Sequence, residues 1–155
     1  MLARLAAFVA LASLATGAWG QSGGHCGSDG RCRIKVTVDA GQACSDATIR
    51  VDPEGAEMGR GGGRTIVWRL DTPGFAFCGG DGVQFKRGDL DFQFFGAGAT
   101  DNDSGDDDAS GGCKRNFRWR NKNEPHTFGK RYDYLIRFTG PGGQVCVKDP
   151  FVRNG

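Results

Sequence analysis

Little in this sequence belongs to the usual chemistry of an active site. It holds two histidines, His25 and His126. A blue-copper centre needs two histidines, a thiolate and usually a methionine in fixed spacing, and Met58 falls in an early loop. A zinc site needs ligands clustered at short intervals, which His25 and Cys26 with Cys32 imitate poorly. No serine has a nucleophile-elbow context, and no spacing of carboxylates sets up an acid–base pair. Beyond residue 20 no apolar run is long enough for a membrane helix, and no stretch shows helical periodicity. The formal net charge is only +2, so the chain lacks a global field to gather nucleic acid or anionic membrane. Cys26 lacks the leucine and small residues that precede a lipidated cysteine. These absences point away from an enzyme and a membrane-spanning protein.

What is present begins with an export signal. Arg4 supplies a positive n-region, Leu5 to Ala15 an apolar core, and Ala18-Trp19-Gly20 small residues for a peptidase, so cleavage is expected before Gln21. Residues 1–20 are thus a signal peptide, 21–31 a Gly/Ser-rich flexible leader, and 32–155 a single domain. Six cysteines follow the signal: Cys26, Cys32, Cys44, Cys78, Cys113 and Cys146. An even number in an exported chain reads as disulfides, which brace a domain too small for a large core. Cys78 and Cys113 are expected to bridge across the approach to an acidic loop. The other pairings stay open.

The ordered region alternates. In Cys32 to Val38, residues Cys32, Ile34, Val36 and Val38 share one face, and Arg33, Lys35 and Thr37 the other. Ile49 and Val51 repeat the pattern, as do Ile66, Trp68 and Leu70, then Phe75 and Phe77, Val83 and Phe85, and Leu90, Phe92 and Phe94. Phe117 and Trp119 follow, then Tyr132, Tyr134, Ile136 and Phe138, and finally Val145 and Val147. Turn chemistry separates them at Asp52-Pro53-Glu54-Gly55, Thr72-Pro73-Gly74 and Gly140-Pro141-Gly142-Gly143. The pattern predicts an all-β fold: a disulfide-braced, Greek-key-like β-sandwich of about eight short antiparallel strands.

Two charged runs are candidate sites. Asp101, Asp103, Asp106, Asp107 and Asp108 cluster in residues 101–108, a set of oxygen ligands of the kind calcium takes. The run departs from an EF-hand loop: Gly105 comes one position early, and Gly112 stands where the bidentate glutamate belongs. Lys114 to Lys122 interleaves cations with aromatics and places Arg115, Arg118 and Arg120 where a polyanion would bind. Alternation accounts for the same run as a strand with Phe117 and Trp119 inward and Arg118 and Arg120 on the solvent face. Gly59 to Arg64 lacks the ending of a phosphate cradle and reads as a hairpin loop. Arg87-Gly88-Asp89 is an integrin-type tripeptide, and Asn102-Asp103-Ser104 a formal glycosylation acceptor.

The chain resembles a loose group of small exported bacterial proteins of unassigned function. The resemblance lies in Ile66-Val67-Trp68 with Asp71-Thr72-Pro73-Gly74-Phe75-Ala76-Phe77, and in Gly82-Val83-Gln84-Phe85. Tyr132-Asp133-Tyr134 and Asp149-Pro150-Phe151-Val152-Arg153-Asn154 complete it, over about two thirds of the chain. It implies export and a sandwich, and carries no active site. A distant similarity to cupredoxin-type sandwiches covers the outline alone, without copper ligands. The expected function is that of a secreted or periplasmic, non-catalytic module, a monomer that binds a protein, a glycan or a surface. A calcium-dependent module and an inhibitor of secreted hydrolases are the alternatives. Calcium is the one cofactor considered, and no nucleic-acid partner is expected.

Overall fold

The computed structural model describes residues 26–39, 41, 43–86, 93–100 and 112–155. The expected signal peptide, the Arg87-Gly88-Asp89 tripeptide, Leu90 and Phe92, and the acidic loop with its five aspartates and its glycosylation acceptor lie outside those residues. Part of the expected leader is described, and it is folded. Gly27 N–H donates to the Arg31 carbonyl at 2.8 Å, and Cys26 is bonded to Cys32.

The described residues are all-β apart from two three-residue 3-10 turns, Pro125–Thr127 and Pro141–Gly143. Among the described residues twelve strands are formed where alternation indicates about eight. In chain order they are β1 (Arg31–Val38), β2 (Ile49–Asp52), β3 (Ala56–Glu57), β4 (Arg64–Leu70), β5 (Phe77–Cys78), β6 (Val83–Phe85), β7 (Phe94–Thr100), β8 (Cys113–Lys114), β9 (Asn116–Asn121), β10 (Arg131–Thr139), β11 (Val145–Lys148) and β12 (Phe151–Arg153). The strands that alternation does not indicate are the two-residue β3 and β8 and the three-residue β12, too short to carry a period.

The first sheet has the order β2-β1-β4-β9-β7. β1 and β4 run parallel, with Arg31 opposite Thr65 and Val36 opposite Leu70. The other pairings in this sheet are antiparallel. The second sheet is built on β10, which pairs antiparallel with β11, β12 and β6. β3 joins β12 in parallel. The sheets are therefore mixed, not wholly antiparallel as the alternation suggests. A parallel pair needs a crossover, and a period-two pattern carries no information about strand direction.

The core follows the alternation. Ile34, Val36, Ile66, Trp68, Leu70 and Phe117 from the first sheet and Tyr134, Ile136 and Phe138 from the second belong to one buried apolar cluster. Trp68 donates its indole N–H to the Tyr134 hydroxyl at 3.0 Å, and the two rings meet edge-on with centroids 5.2 Å apart. Phe77 packs against Phe117 at 5.6 Å and Phe138 at 6.2 Å. Gly82 is part of this packing: a Cβ there would lie 2.5 Å from the Phe117 ring and 2.8 Å from Phe77. All six cysteines are bonded, as Cys26–Cys32, Cys44–Cys146 and Cys78–Cys113. The last pair matches the bridge expected from sequence.

Candidate functional site

The outward face of the first sheet collects cations because each strand alternates around a buried half. β1 turns out Arg31, Arg33 and Lys35; β4 turns out Thr65, Val67 and Arg69; β9 turns out Asn116, Arg118 and Arg120. The ladder aligns them in rows. Arg31, Thr65, Arg120 and Phe95 lie side by side across β1, β4, β9 and β7. The next row is Arg33, Val67, Arg118 and Gly98, and the third begins with Lys35, Arg69, Asn116 and Thr100.

Most of these cations are already matched. Asp29 binds Arg33 at 2.9 Å and lies 3.7 Å from Arg31. The Arg33 hydrogen bond, with one from the Arg31 backbone N–H, holds the Asp29 carboxyl below its ordinary range. Asp71 binds Lys35 at 3.3 Å and Arg69 at 3.0 Å. At the edge of the sheet Asp39 binds Arg50 at 2.9 Å, a contact that lowers the Asp39 pKa and raises that of Arg50.

The three arginines read from the basic run are not brought together. Arg115 donates from Nε and from a terminal nitrogen to the Leu70 carbonyl, at 3.0 and 2.7 Å, and so ties β9 to the end of β4. Arg118 is turned outward but is only 4% exposed. Val67 and Thr100 on the same face are buried too, so this part of the expected solvent face is closed to water. Arg115 and Arg120 are both exposed, and of the two only Arg120 has no side-chain partner among the described residues. The five aspartates proposed for calcium lie outside the described residues. Among the described residues no cluster of three His, Cys, Asp or Glu side chains is placed to hold a metal.

Arg120 opens onto a cleft of about 480 Å³ at the foot of the sheet. Around it stand Arg31, Arg64, Lys122, Asp29, Glu124 and the ring of Phe95. Arg64 is spent on the carbonyls of Met58 and Arg60, at 3.3 and 3.1 Å. Glu124 accepts a hydrogen bond from the Gln93 amide and lies 3.9 Å from His126. Arg120 and Lys122 have no side-chain partner among the described residues and are exposed. Phe95 is 45% exposed, one of three large apolar side chains left open among the described residues.

No family model, curated protein or solved structure matches the chain.

The cleft has a rigid base. Asn121, between Arg120 and Lys122, is turned inward and buried. Its amide donates to Asn154 Oδ1 at 2.7 Å, and Asn154 donates to Thr127 Oγ1 at 2.6 Å. The Asn121 side chain also accepts the Asn123 backbone N–H at 2.9 Å. Asn123 holds the left-handed φ of 49° and donates to the Gly59 and Gly61 carbonyls at 2.8 and 3.0 Å. Buried amides satisfied on several sides fix their backbone, so the end of β9 that presents Arg120 and Lys122 is anchored to the C-terminal segment. The basic run itself reached Arg120. Phe95, Arg31 and Thr65 were missed as neighbours because they arrive from three other strands. The one signal for Phe95 was local: it follows inward Phe94, so alternation turns it out.

Proposed function

We propose that the protein is an exported, non-catalytic binding module, with its two five-stranded sheets packed as a Greek-key-like β-sandwich, and that the cleft at the foot of the first sheet takes an anionic partner. The observation that carries this reading is the pair of exposed cations, Arg120 and Lys122, unmatched among the described residues and beside the open ring of Phe95. Elsewhere on the same face cations are neutralised by Asp29 and Asp71. A cleft that keeps its charge unpaired retains it for a ligand. Three disulfides support an oxidising compartment, where such bonds persist, and among the described residues no helix is long and apolar enough to cross a membrane. The non-catalytic reading rests on the sequence, which lacks a nucleophile context or a set of metal ligands at working spacing.

The test is retention on heparin-agarose, used as a generic polyanion. The disulfide-bonded protein is expected to bind at low salt and elute as ionic strength rises, because counterions compete with the ligand. The double variant Arg120→Glu, Lys122→Glu is expected to flow through. Flow-through of the unaltered protein at low salt refutes the reading, as does equal retention of the double variant.

A further inference from the structure

We infer that this cleft binds an acidic saccharide, with one sugar ring stacked on Phe95 and its carboxylate or sulfate held by Arg120 and Lys122. The inference rests on the polyanion reading above and narrows it to one ligand class. Four features of the cleft point to a sugar.

The first is the platform. Phe95 faces outward directly across the ladder from Arg120, and a bulge follows it between Phe95 and Gly98. The residue after it, Gly96, has φ of 66°, and a Cβ there would meet nothing closer than Arg120 Cδ at 3.8 Å. The stem of Arg120 therefore runs past Gly96, and the ring of Phe95 stays 45% exposed. An open ring bordered by a guanidinium suits the C–H face of a sugar that carries an anionic substituent.

The second feature is the spacing of charge. Arg120 lies on β9 and Lys122 follows the strand's last residue, so the two cations that line the cleft are at most about 7 Å apart along the chain. Two donors at that separation span the substituents of a single ring or of neighbouring rings.

The third is the presence of acceptors. Asp29 and Glu124 line the same cleft as the cations, and Thr65 lies in the row between Arg31 and Arg120. Sugar hydroxyls need acceptors as well as donors. A ring-free polyanion has only acceptor oxygens and brings no hydroxyl donor to the two carboxylates.

The fourth is size. The row from Phe95 to Arg31 crosses three strand gaps of about 4.8 Å each, or roughly 14 Å, and the volume lies in the range of small-ligand sites. That fits a short oligosaccharide. Single-stranded nucleic acid is the weaker match, because its bases stack on successive aromatics and the row carries only one ring.

The experiment is calorimetric titration of the intact, disulfide-bonded protein with four probes. These are an oligogalacturonate (carboxylated), a heparin-derived tetrasaccharide (sulfated), inorganic polyphosphate (anionic, without a ring) and a neutral maltooligosaccharide. At least one acidic saccharide is expected to bind about tenfold more tightly than polyphosphate or the neutral sugar, with the better of the two identifying the anionic group. Phe95→Ala is expected to weaken that binding about tenfold and to leave polyphosphate binding unchanged, while Phe95→Trp retains it. Arg120→Gln provides a second variant, expected to weaken both polyanions. If polyphosphate binds as well as the acidic saccharides, or Phe95→Ala changes nothing, the saccharide inference fails and the polyanion reading stands. If no acidic probe binds, or the neutral sugar binds as well, both fail together.

Discussion

Trp68 and Tyr134 show how one contact joins the two sheets. Both side chains are fully buried, and the indole N–H has the Tyr134 hydroxyl as its acceptor. Tyr134→Phe would orphan that donor, at a cost of about 1–3 kcal/mol. The same burial pushes the Tyr134 phenol well above its ordinary value of 10, and the hydrogen bond from Trp68 offsets this only in part. In the unfolded chain the phenol ionises near its ordinary value, so above pH 10 the unfolded state binds fewer protons than the folded one. Stability from this group is therefore whole below pH 10 and falls as pH rises toward the higher folded value, by up to about 1.4 kcal/mol per pH unit. Urea denaturation at pH 8, 9, 10 and 11 checks this. The unaltered protein should lose stability more steeply above pH 10 than Tyr134→Phe, and parallel pH profiles would remove Tyr134 as the cause.

Elements are held to one another by sulfur bonds of very different reach. Cys44–Cys146 closes a separation of 102 residues and fastens the segment before β2 to β11. Lys148 reinforces the same junction by donating to the Asp46 carbonyl at 2.9 Å. Cys78–Cys113 closes 35 residues and pins β5 to β8, and Cys26–Cys32 closes only 6. In the chain-entropy account a bond closing about 100 residues stabilises by about 4–5 kcal/mol, and one closing a handful by about 2 kcal/mol. Pairwise Cys→Ala variants measured by thermal melting should therefore rank with Cys44/Cys146 as the most damaging and Cys26/Cys32 as the least. The reverse order would mean that local packing, such as Met58 against the Cys32 sulfur at 3.3 Å, outweighs chain entropy. At this scale much was legible in the sequence. The inward sets of β1, β4 and β10 are the residues that alternation selects, since a strand's side-chain period is a property of its own backbone. The parallel pairing of β1 with β4 was not legible, nor were the short strands β3, β8 and β12, which acquire their conformation from a neighbour and not from their own pattern.

For the molecule as a whole, export and oxidation make one joint prediction. Intact mass of protein recovered from its native host should place the N-terminus at Gln21, with no thiol alkylated before reduction and six alkylated after it. A chain that retains residues 1–20, or one that alkylates without reduction, would contradict the expected route. The candidate site also belongs to this scale. Arg31, Thr65, Arg120 and Phe95 come from four strands distributed over more than half the sequence, and Arg118, although outward by alternation, is buried. Which side chains turn inward and where the turns fall can be read along the chain, because these depend on a residue and its immediate neighbours. The three-dimensional arrangement alone decided which strand lies beside which. Backbone donors and acceptors are chemically alike on every strand, so partner choice waits on closure of the whole core. Only that closure sets Phe95 beside Arg120, matches Arg33 and Lys35 with carboxylates, and leaves Arg120 and Lys122 unmatched among the described residues.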